Sequence, residues 1–353
     1  MSYDIIDKEM YSWVLHGEKD IRCEIRPVPE LKSDEILIKV KQAGLCGSDL
    51  KYYQYGKVGN YSPSQPFILG HEFSGDIVKV GSEVKSLKDN DRVAVDPSMS
   101  CGKCGYCLSG RANLCRGMKY LGSAMYVPPI DGAFREYIVM PAKNCFKLPD
   151  NISYEIGALL EPLSVAFYSL KRAGNVKGKS LLISGAGTIG QLILSCAIAL
   201  GAEKVCISDP FQSKRDLAKK QGAFCALDPT LNDFKDKALE VIPDGYDIVM
   251  EASGAIQALR QGFHLTKLGG TIVQVGITPP EEIIPLGLVF FKELNYTGSF
   301  RFCNVFEEVL TFCSSGNVKL DELISHTFPF KELDKAIAYA CDAKDALKIH
   351  VKF

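Results

Sequence analysis

The chain has 353 residues, of which 46% are hydrophobic and 24% are charged, and its formal net charge at pH 7 is -1. This length allows two domains with separate cores, and the near-zero charge argues against nucleic acid or an anionic membrane as a partner. The longest apolar stretch, Leu192 to Leu200, is too short to span a bilayer. The start of the chain, Met1-Ser2-Tyr3-Asp4, is acidic and does not resemble a signal peptide. We therefore expect a cytoplasmic protein.

The N-terminal part of the chain is predicted to be rich in β-strands. Hydrophobic and polar residues alternate from Glu35 to Lys41, and similar short runs follow from Gly75 to Val80 and from Asp91 to Val95. A period of two residues is typical of strands with one buried face. Glycines and prolines separate these runs, as in the turns of a compact β domain.

Three places in the chain carry side chains suited to a catalytic metal. Cys46 lies in the motif Gly44-Leu-Cys-Gly-Ser-Asp49, His71 and Glu72 follow Gly70, and Glu161 precedes Pro162 where the second domain begins. A single histidine in an apolar setting is more often a core residue than a ligand. The chain has only five histidines, however, and this one lies in Gly-His-Glu downstream of Cys-Gly-Ser-Asp. A catalytic zinc site needs few protein ligands and an open position, which this set could supply.

Four cysteines on one loop, Cys101, Cys104, Cys107 and Cys115, predict a second metal site. Four thiolates close a tetrahedron around zinc and leave no position for substrate, which favours a structural role. An iron–sulfur cluster or free thiols are the alternatives that the spacing alone leaves open. The chain has 13 cysteines, and most of the others lie scattered in apolar runs, where burial is the simplest interpretation.

From about Asn151 onwards, predicted strands and helices alternate. They are, in chain order, a strand from Ser180 to Ser184, a helix to Leu200, a strand from Lys204 to Ser208, a helix from Ser213 to Gln221, a strand from Tyr246 to Met250, a helix from Ala255 to Thr266 and a strand from Thr271 to Val275. This order predicts an α/β fold with a doubly wound parallel sheet. From about Gly298 to the end of the chain, the pattern is again a mixture of predicted helices and strands. We therefore predict a β-rich domain from residues 1–157 and 298–353, with a dinucleotide-binding domain, residues 158–297, inserted in it.

The segment Gly185-Ala-Gly-Thr-Ile-Gly190 is a G-x-G-x-x-G motif between a predicted strand and a predicted helix. Gly185, Gly187 and Gly190 allow a tight turn and a close approach of the backbone to a pyrophosphate. The N–H groups at Thr188 and Ile189 begin the helix, whose dipole attracts an anion. The alternative is a glycine turn that binds no ligand.

The next predicted strand ends at Asp209. In dinucleotide-binding domains, an acidic residue about 20 residues after the glycine motif binds the adenosine ribose, and Asp209 lies at this spacing. A carboxylate there accepts a hydrogen bond from a 2′-hydroxyl and repels a 2′-phosphate, which favours NAD over NADP. The nearby Lys214, with Arg215 and Lys219, weakens that preference. Val275 and Gly276, at the end of a later strand, are further candidates for cofactor contact.

On these motifs the sequence resembles the zinc-containing medium-chain dehydrogenases over essentially the whole chain. Glu161-Pro-Leu-Ser164 and Gly298-Ser-Phe-Arg301 are similar to the sorbitol dehydrogenase branch. Tyr52-Tyr-Gln-Tyr-Gly-Lys-Val-Gly-Asn60 and Gly122-Ser-Ala-Met-Tyr126 resemble the L-idonate 5-dehydrogenases within it. The resemblance implies a Rossmann domain inserted in a GroES-like catalytic domain, two zinc ions per chain, NAD, a small sugar acid or polyol as substrate, and a homo-oligomer.

The resemblance also implies residue roles. Cys46, His71 and Glu72 would hold the catalytic zinc, and Glu161 would bind it directly or hold its water. Ser48 would take the proton of the alcohol. Many relatives carry histidine five residues after the zinc-binding cysteine, where this chain has Lys51. The last member of the proton relay therefore stays open.

Arg301 is a candidate for binding a substrate carboxylate, because its planar guanidinium can hold both oxygens. It could equally bind a neutral polyol hydroxyl or the cofactor. Two other functions compete with sugar-acid oxidation: a dehydrogenase of sorbitol or xylitol, and a nucleotide-binding protein that has lost its chemistry. The intact set of metal-ligating residues argues against the second of these.

Overall fold

A computed structural model of the chain describes residues 8–279, 281–316, 318, 320–343 and 345–353. The acidic start of the chain, Met1 to Asp4, lies outside the described residues. The chain divides into two compact units. The first runs to Glu161 and resumes with Ile324–Phe353, and the second is Pro162–Leu323. Within the described ranges, no helix is both long and apolar enough to cross a membrane.

The first unit is built mainly from strands. In chain order they are β1 (Glu9–Gly17), β2 (Asp20–Pro27), β3 (Glu35–Gly44), β4 (Phe67–Ile68), β5 (Glu72–Val80), β6 (Arg92–Val95), β7 (Ser98–Met99), β8 (Lys119–Tyr120), β9 (Tyr137–Pro141) and β10 (Cys145–Lys147), and after the second unit β17 (Ile324–Pro329) and β18 (Lys348–Lys352). Its helices are α1 (Gly47–Tyr55), the short α2 (Gly105–Leu108) and α10 (Leu333–Asp342). Helix α3 (Tyr154–Ala173) begins in this unit and continues into the next.

The main sheet of the first unit joins strands from both ends of the chain. Its order is β10-β6-β5-β3-β18-β17, with β9 also paired to β3, while β2-β1-β4 and β7-β8 form separate small sheets. Alternate side chains of β3 and β5, such as Ile36, Ile38 and Ile77, are buried with Phe73 in the core. The β-rich character that the alternating pattern predicts is thereby confirmed.

The second unit is a parallel sheet with helices between its strands. The strands are β11 (Ser180–Ser184), β12 (Lys204–Ser208), β13 (Cys225–Leu227), β14 (Tyr246–Glu251), β15 (Thr266–Gln274) and β16 (Asn295–Gly298). The helices are α4 (Thr188–Ala199), α5 (Gln212–Lys220), α6 (Phe234–Val241), α7 (Ile256–Leu265), α8 (Leu286–Phe291) and α9 (Phe306–Ser314). The spatial order β13-β12-β11-β14-β15-β16 is that of a doubly wound dinucleotide-binding sheet, which confirms the predicted fold class.

The chain returns to the first unit later than the sequence indicates. We predicted the return at residue 298, whereas the structure places it at Ile324. Strand β16 completes the parallel sheet by pairing with β15, and helix α9 then packs on α3 through the rings of Phe167 and Phe312, whose centroids are 5.3 Å apart. Residues 298–323 therefore belong to the inserted unit, because their apolar contacts lie there.

Asp247 links two strands of the parallel sheet and supports a prediction about pH. Its carboxylate accepts hydrogen bonds from the N–H and O–H of Ser180, each at 2.8 Å, and pairs with Lys267. Partial burial raises the pKa of Asp247, but Lys267 and the Ser180 donors outweigh it and lower the pKa from 3.8 to about 2. A lowered folded-state pKa stabilises the protein above the ordinary pKa and is lost as pH falls through the folded value.

Asp247→Asn should therefore lower the free energy of unfolding near neutral pH by about 2 kcal/mol, since charge-assisted hydrogen bonds are lost. The deficit should shrink as pH falls from about 4 towards about 2, where the parent carboxylate also takes up a proton. Urea denaturation of the parent and of Asp247→Asn across this pH range measures the difference in the free energy of unfolding. The exposed Asp244 nearby provides the matched control Asp244→Asn. A deficit that does not change with pH would contradict the assigned role of the charge.

Candidate functional site

Cys46 is held at the N-terminus of helix α1. Its backbone N–H donates to the Asp49 carboxylate at 2.9 Å, and the same carboxylate accepts the N–H of Gly70 at 3.1 Å. The fully buried Asp49 thus joins the Cys-Gly-Ser-Asp motif to the Gly-His-Glu motif. Burial raises the pKa of Asp49. This joining role of Asp49 was not predicted from the sequence, although the residue lies within the Cys-Gly-Ser-Asp motif.

His71 faces Asp49 and Cys46 from the loop that leads into β5. Its Nδ1 is buried without a hydrogen-bond partner and lies 3.8 Å from Asp49 Oδ1. Burial lowers the pKa of His71, but the negative charges of Cys46 and Asp49 outweigh it and raise the pKa to about 10. The direction of this shift indicates a cluster that attracts positive charge.

Glu72 begins β5 and is held by a lysine from the far end of the chain. Lys348 of β18 donates to both of its carboxylate oxygens, at 2.8 and 2.6 Å, and to the carbonyl of Leu45 at 2.9 Å. Glu72 is 1% and Lys348 3% exposed. Burial lowers the pKa of Lys348, but Glu72 and Cys46 outweigh it and raise the pKa. Lys348 therefore holds both the Glu72 side chain and the backbone next to Cys46 in place.

Glu161 lies in the middle of helix α3, directly before Pro162. Its Oε1 accepts the hydroxyl of Tyr120 at 2.5 Å, and the Tyr120 ring centroid is 5.6 Å from that of His71. Burial raises the pKa of Glu161 to about 7. The neighbouring Glu72 carboxylate acts in the same direction as burial, and His71 acts against both.

The structure brings one donor atom each of Cys46, His71 and Glu72 within 4.8 Å of one another. Glu161 is outside this set of three. A thiolate, an imidazole and a carboxylate around one point match the ligands of zinc. His71 Nδ1 lies 3.8 Å from the Asp49 carboxylate, on the side where a zinc-binding imidazole usually finds a carboxylate partner for its second nitrogen. Each carboxylate oxygen of Glu72 has two lone-pair sites, so a bond from Lys348 is compatible with a metal contact. The residues therefore fit a catalytic zinc.

Ser48 and Lys51 lie further along α1, and both are partly exposed. Ser48 is two residues from Cys46, in the first turn of the helix. The candidate proton acceptor is therefore part of the same short element as a candidate zinc ligand.

The four-cysteine loop forms a compact cluster in the first unit. All four sulfur atoms lie within 4.8 Å of one another, with Cys104 3.6 Å and Cys101 4.0 Å from Cys107. Zinc–sulfur bonds of about 2.3 Å in a tetrahedron put the sulfurs about 3.8 Å apart. Backbone N–H groups of Cys107 and Arg116 lower the pKa of Cys104 to about 6, which favours the thiolate. These cysteines fit a closed zinc site.

The glycine motif of the second unit forms the turn from β11 into α4. Gly185 has φ of +98°, which favours glycine, and Gly187 is the residue before the first turn of α4. A Cβ on Gly190 would lie 1.8 Å from the Gly185 carbonyl oxygen, whereas a Cβ on Gly187 would meet no atom within 4 Å. The third glycine is needed for packing, and the second leaves open space where a pyrophosphate can approach the N–H groups of Thr188 and Ile189.

Asp209 follows β12, as the spacing predicts. Its carboxylate accepts the N–H groups of Ala186 and Phe211, each at 2.9 Å, so it is tied to the glycine turn. Arg215 donates to the Asp209 carbonyl at 2.5 Å and to Asp228 at 3.3 Å, and thus is engaged within the protein. The Lys214 ammonium lies 5.0 Å from the centroid of the Phe211 ring.

The remaining candidates also lie in the second unit. Val275 and Gly276 follow β15, and their N–H groups donate to the Glu251 carbonyl at 2.8 and 2.9 Å. Arg301 has φ of +53°, and its guanidinium lies over the ring of Phe300 at 4.9 Å. Their cofactor and substrate roles stay predictions.

The two glycines provide a matched pair of variants. Gly187→Ala should leave the fold intact but raise the Kd for NADH about tenfold or more, because the added methyl group occupies the approach to the turn. Gly190→Ala should lower the free energy of unfolding by about 3 kcal/mol, because its Cβ collides with the backbone. Thermal denaturation and NADH fluorescence separate the two effects. Unchanged NADH affinity in Gly187→Ala would contradict the proposed pyrophosphate position.

Comparison with known proteins agrees with both halves of this description. Residues 32–150 match the model of the alcohol dehydrogenase GroES-like domain, and residues 188–315 match that of the zinc-binding dehydrogenases. A sorbitol dehydrogenase of Bacillus subtilis (strain 168) is 36% identical over 350 residues, which cover 98% of each chain. The chain belongs to the zinc-containing medium-chain dehydrogenases. It is a zinc-dependent alcohol and polyol dehydrogenase of the sorbitol dehydrogenase branch.

Two further relatives lie in the same family. A probable D-xylulose reductase A of Neosartorya fischeri is 37% identical over 343 residues and 95% of each chain. The solved structure of L-idonate 5-dehydrogenase from Escherichia coli str. K-12 substr. MG1655 superposes with a TM-score of 0.92, at 32% identity and 98% of each chain. The predicted family and fold, including the GroES-like part, are thus confirmed, and so are the predicted cofactors, zinc and NAD.

Proposed function

We propose that the chain oxidises a secondary alcohol of a small sugar acid or polyol to a ketone, with L-idonate giving 5-keto-D-gluconate and NAD accepting the hydride. The main observation behind this proposal is that the ligand atoms of Cys46, His71 and Glu72 lie within 4.8 Å of one another, with His71 and Glu72 buried. The likeness to L-idonate 5-dehydrogenase supports the sugar acid. The sorbitol dehydrogenase and D-xylulose reductase relatives favour a second candidate, oxidation of sorbitol or xylitol.

The residues of the first unit have separate roles in the reaction. Cys46, His71 and Glu72 would hold the catalytic zinc, and Glu161 would bind it directly or hold its water. When bound, zinc supplies Lewis-acid polarisation of the substrate hydroxyl, and NAD supplies the hydride acceptor. Ser48 takes the hydroxyl proton and passes its own hydroxyl proton on towards solvent, and the electrons left on the oxygen form the ketone as the hydride leaves carbon. Asp49 and Lys348 hold the ligands in place through Gly70, Leu45 and Glu72.

The second unit binds and orients the dinucleotide. The glycine turn holds the pyrophosphate and Asp209 meets the adenosine ribose, which favours NAD over NADP. Arg301 binds the substrate carboxylate through its planar guanidinium. The loop of Cys101, Cys104, Cys107 and Cys115 holds a second, structural zinc, so we propose two zinc ions per chain.

The substrate is tested by measuring NADH formation with L-idonate, sorbitol and xylitol under identical conditions. We expect the highest kcat/KM with L-idonate. Arg301→Leu should then raise the KM for L-idonate far more than that for sorbitol, because only the acid carries a carboxylate. Faster turnover of the neutral polyols in the parent would overturn the sugar-acid proposal and favour the second candidate.

A further inference from the structure

Two cysteines face each other on neighbouring strands of the parallel sheet. Strand β12 pairs with β13 so that Cys206 stands directly opposite Cys225. The Cys206 side chain belongs to an apolar core cluster, and the partly buried Cys225 packs against the same cluster. Neither residue takes part in the two metal clusters or in the glycine turn. The pair is therefore available for chemistry of its own.

The surroundings of the two thiols differ. Cys206 is fully buried, whereas Cys225 is partly exposed. The neighbouring Cys225 thiol and burial raise the pKa of Cys206, whereas the neighbouring Cys206 thiol lowers the pKa of Cys225. Cys225 is thus the thiol that a small oxidant can reach, and its lowered pKa favours the thiolate form there. Cys206 needs no access to solvent, because its partner lies directly opposite it on the neighbouring strand.

The spacing of the strands allows a bond between the two sulfurs. Neighbouring strands lie about 4.8 Å apart, and disulfides join Cα atoms about 4.4–6.8 Å apart. Cβ atoms in disulfides are only about 3.8 Å apart, so the strands must draw together slightly. A disulfide formed under such strain is reduced readily, as in labile and regulatory disulfides.

We propose that Cys206 and Cys225 form a reversible disulfide when the protein meets a hydroperoxide. The Cys225 thiolate attacks the peroxide oxygen, giving a sulfenic acid and releasing water or an alcohol once the leaving oxygen takes a proton. The Cys206 sulfur then displaces the sulfenic oxygen as water and closes the S–S bond. Two thiols are oxidised and the peroxide receives the two electrons. A small-molecule dithiol restores both thiols by exchange.

The disulfide should weaken dinucleotide binding, a consequence that rests on the proposed function. Asp209 lies three residues after Cys206, and its N–H donates to the Leu227 carbonyl, two residues after Cys225, at 3.2 Å. Its carboxylate holds the N–H of Ala186 in the glycine turn. Drawing β12 towards β13 therefore displaces the residue that meets the ribose and the turn that it supports.

The test uses the zinc-loaded protein treated with hydrogen peroxide and then with dithiothreitol. After digestion with trypsin, peptides 205–214 and 221–235, each with a single cysteine, should be joined by a disulfide that dithiothreitol removes. The Kd for NADH, measured by fluorescence, should rise about fivefold or more on oxidation and return on reduction. Fluorescence titration reports binding directly and does not depend on the reactivity of the zinc-site thiols.

Cys225→Ser should abolish both the joined peptides and the change in Kd, whereas Cys341→Ser, which removes a half-buried cysteine of the first unit, should abolish neither. Absence of the joined peptides in the oxidised parent would overturn the proposal. A disulfide without a change in Kd would overturn its regulatory consequence. If the reduced parent does not bind NADH, the proposed function fails instead, while the peptide result still decides on the disulfide.

Discussion

Replacing Cys46 by serine should reduce kcat by about a thousandfold or more, because a polarising metal contributes several kcal/mol to the barrier and each 1.36 kcal/mol is tenfold in rate. Serine keeps the size of the side chain and removes the thiolate. Cys46 stands at the start of α1 with its backbone bound to Asp49, so the substitution leaves the local fold in place. The loss should appear with every substrate, since it concerns the reacting hydroxyl.

NADH binding separates this result from general damage. The glycine turn and Asp209 belong to the other unit, and we expect the Kd for NADH in Cys46→Ser to stay within about twofold of the parent. Cys341→Ser, in the same unit as Cys46, should keep normal turnover. Full activity of Cys46→Ser would refute the assignment of the catalytic ligand. Loss of both turnover and NADH binding would indicate misfolding, which circular dichroism would reveal.

Lys348→Met should give the largest loss of stability, about 3–5 kcal/mol, because it leaves the carboxylate of Glu72 buried without its cation. Methionine keeps most of the length of the lysine side chain, so the change acts through charge and hydrogen bonds. The hydrogen bond to the Leu45 carbonyl, next to Cys46, is lost as well. Zinc affinity at the catalytic site should therefore fall about tenfold to a hundredfold, as for other residues that orient metal ligands.

Urea denaturation and zinc competition with a chelator measure these two effects. The exposed Lys352, on the same strand, provides the control Lys352→Met, for which we expect a change within about 0.5 kcal/mol. The double variant Lys348→Met with Glu72→Gln should recover part of the stability, because no buried charge is then left unpaired. Equal stability of Lys348→Met and the parent would contradict the described role of the ion pair.

The sequence predicted those features that local pattern determines. Strands β11 and β12 begin and end at the predicted residues, because each is a short, largely buried run that ends directly before a glycine or an acid. The glycine turn and the four-cysteine loop are also local features, since each lies within a short stretch of chain and its residue spacing determines its geometry. The pairing of the Cys46 motif with His71 and Glu72 needed the family resemblance, because the residues come from separate stretches.

Contacts between distant parts of the chain could not be predicted. Glu72 and Lys348 are 276 positions apart, and Tyr120 and Glu161 are 41 apart, so no periodicity relates them. The position of Lys348 in a short strand beside the apolar Ile349 and Val351 was the available signal of a buried charge. The return of the chain at Ile324 was missed because an amphipathic helix such as α9 shows that it has a buried face, but not which unit covers it.

Zinc content tests the central claim most directly. Metal analysis of the purified parent should give two zinc ions per chain. Cys46→Ser should contain one, because the site of Cys46, His71 and Glu72 loses its zinc while the four-cysteine loop retains the other. Cobalt substitution of the remaining site should then show only the spectrum of a four-thiolate centre. Two zinc ions in Cys46→Ser, or a single zinc in the parent, would contradict the account.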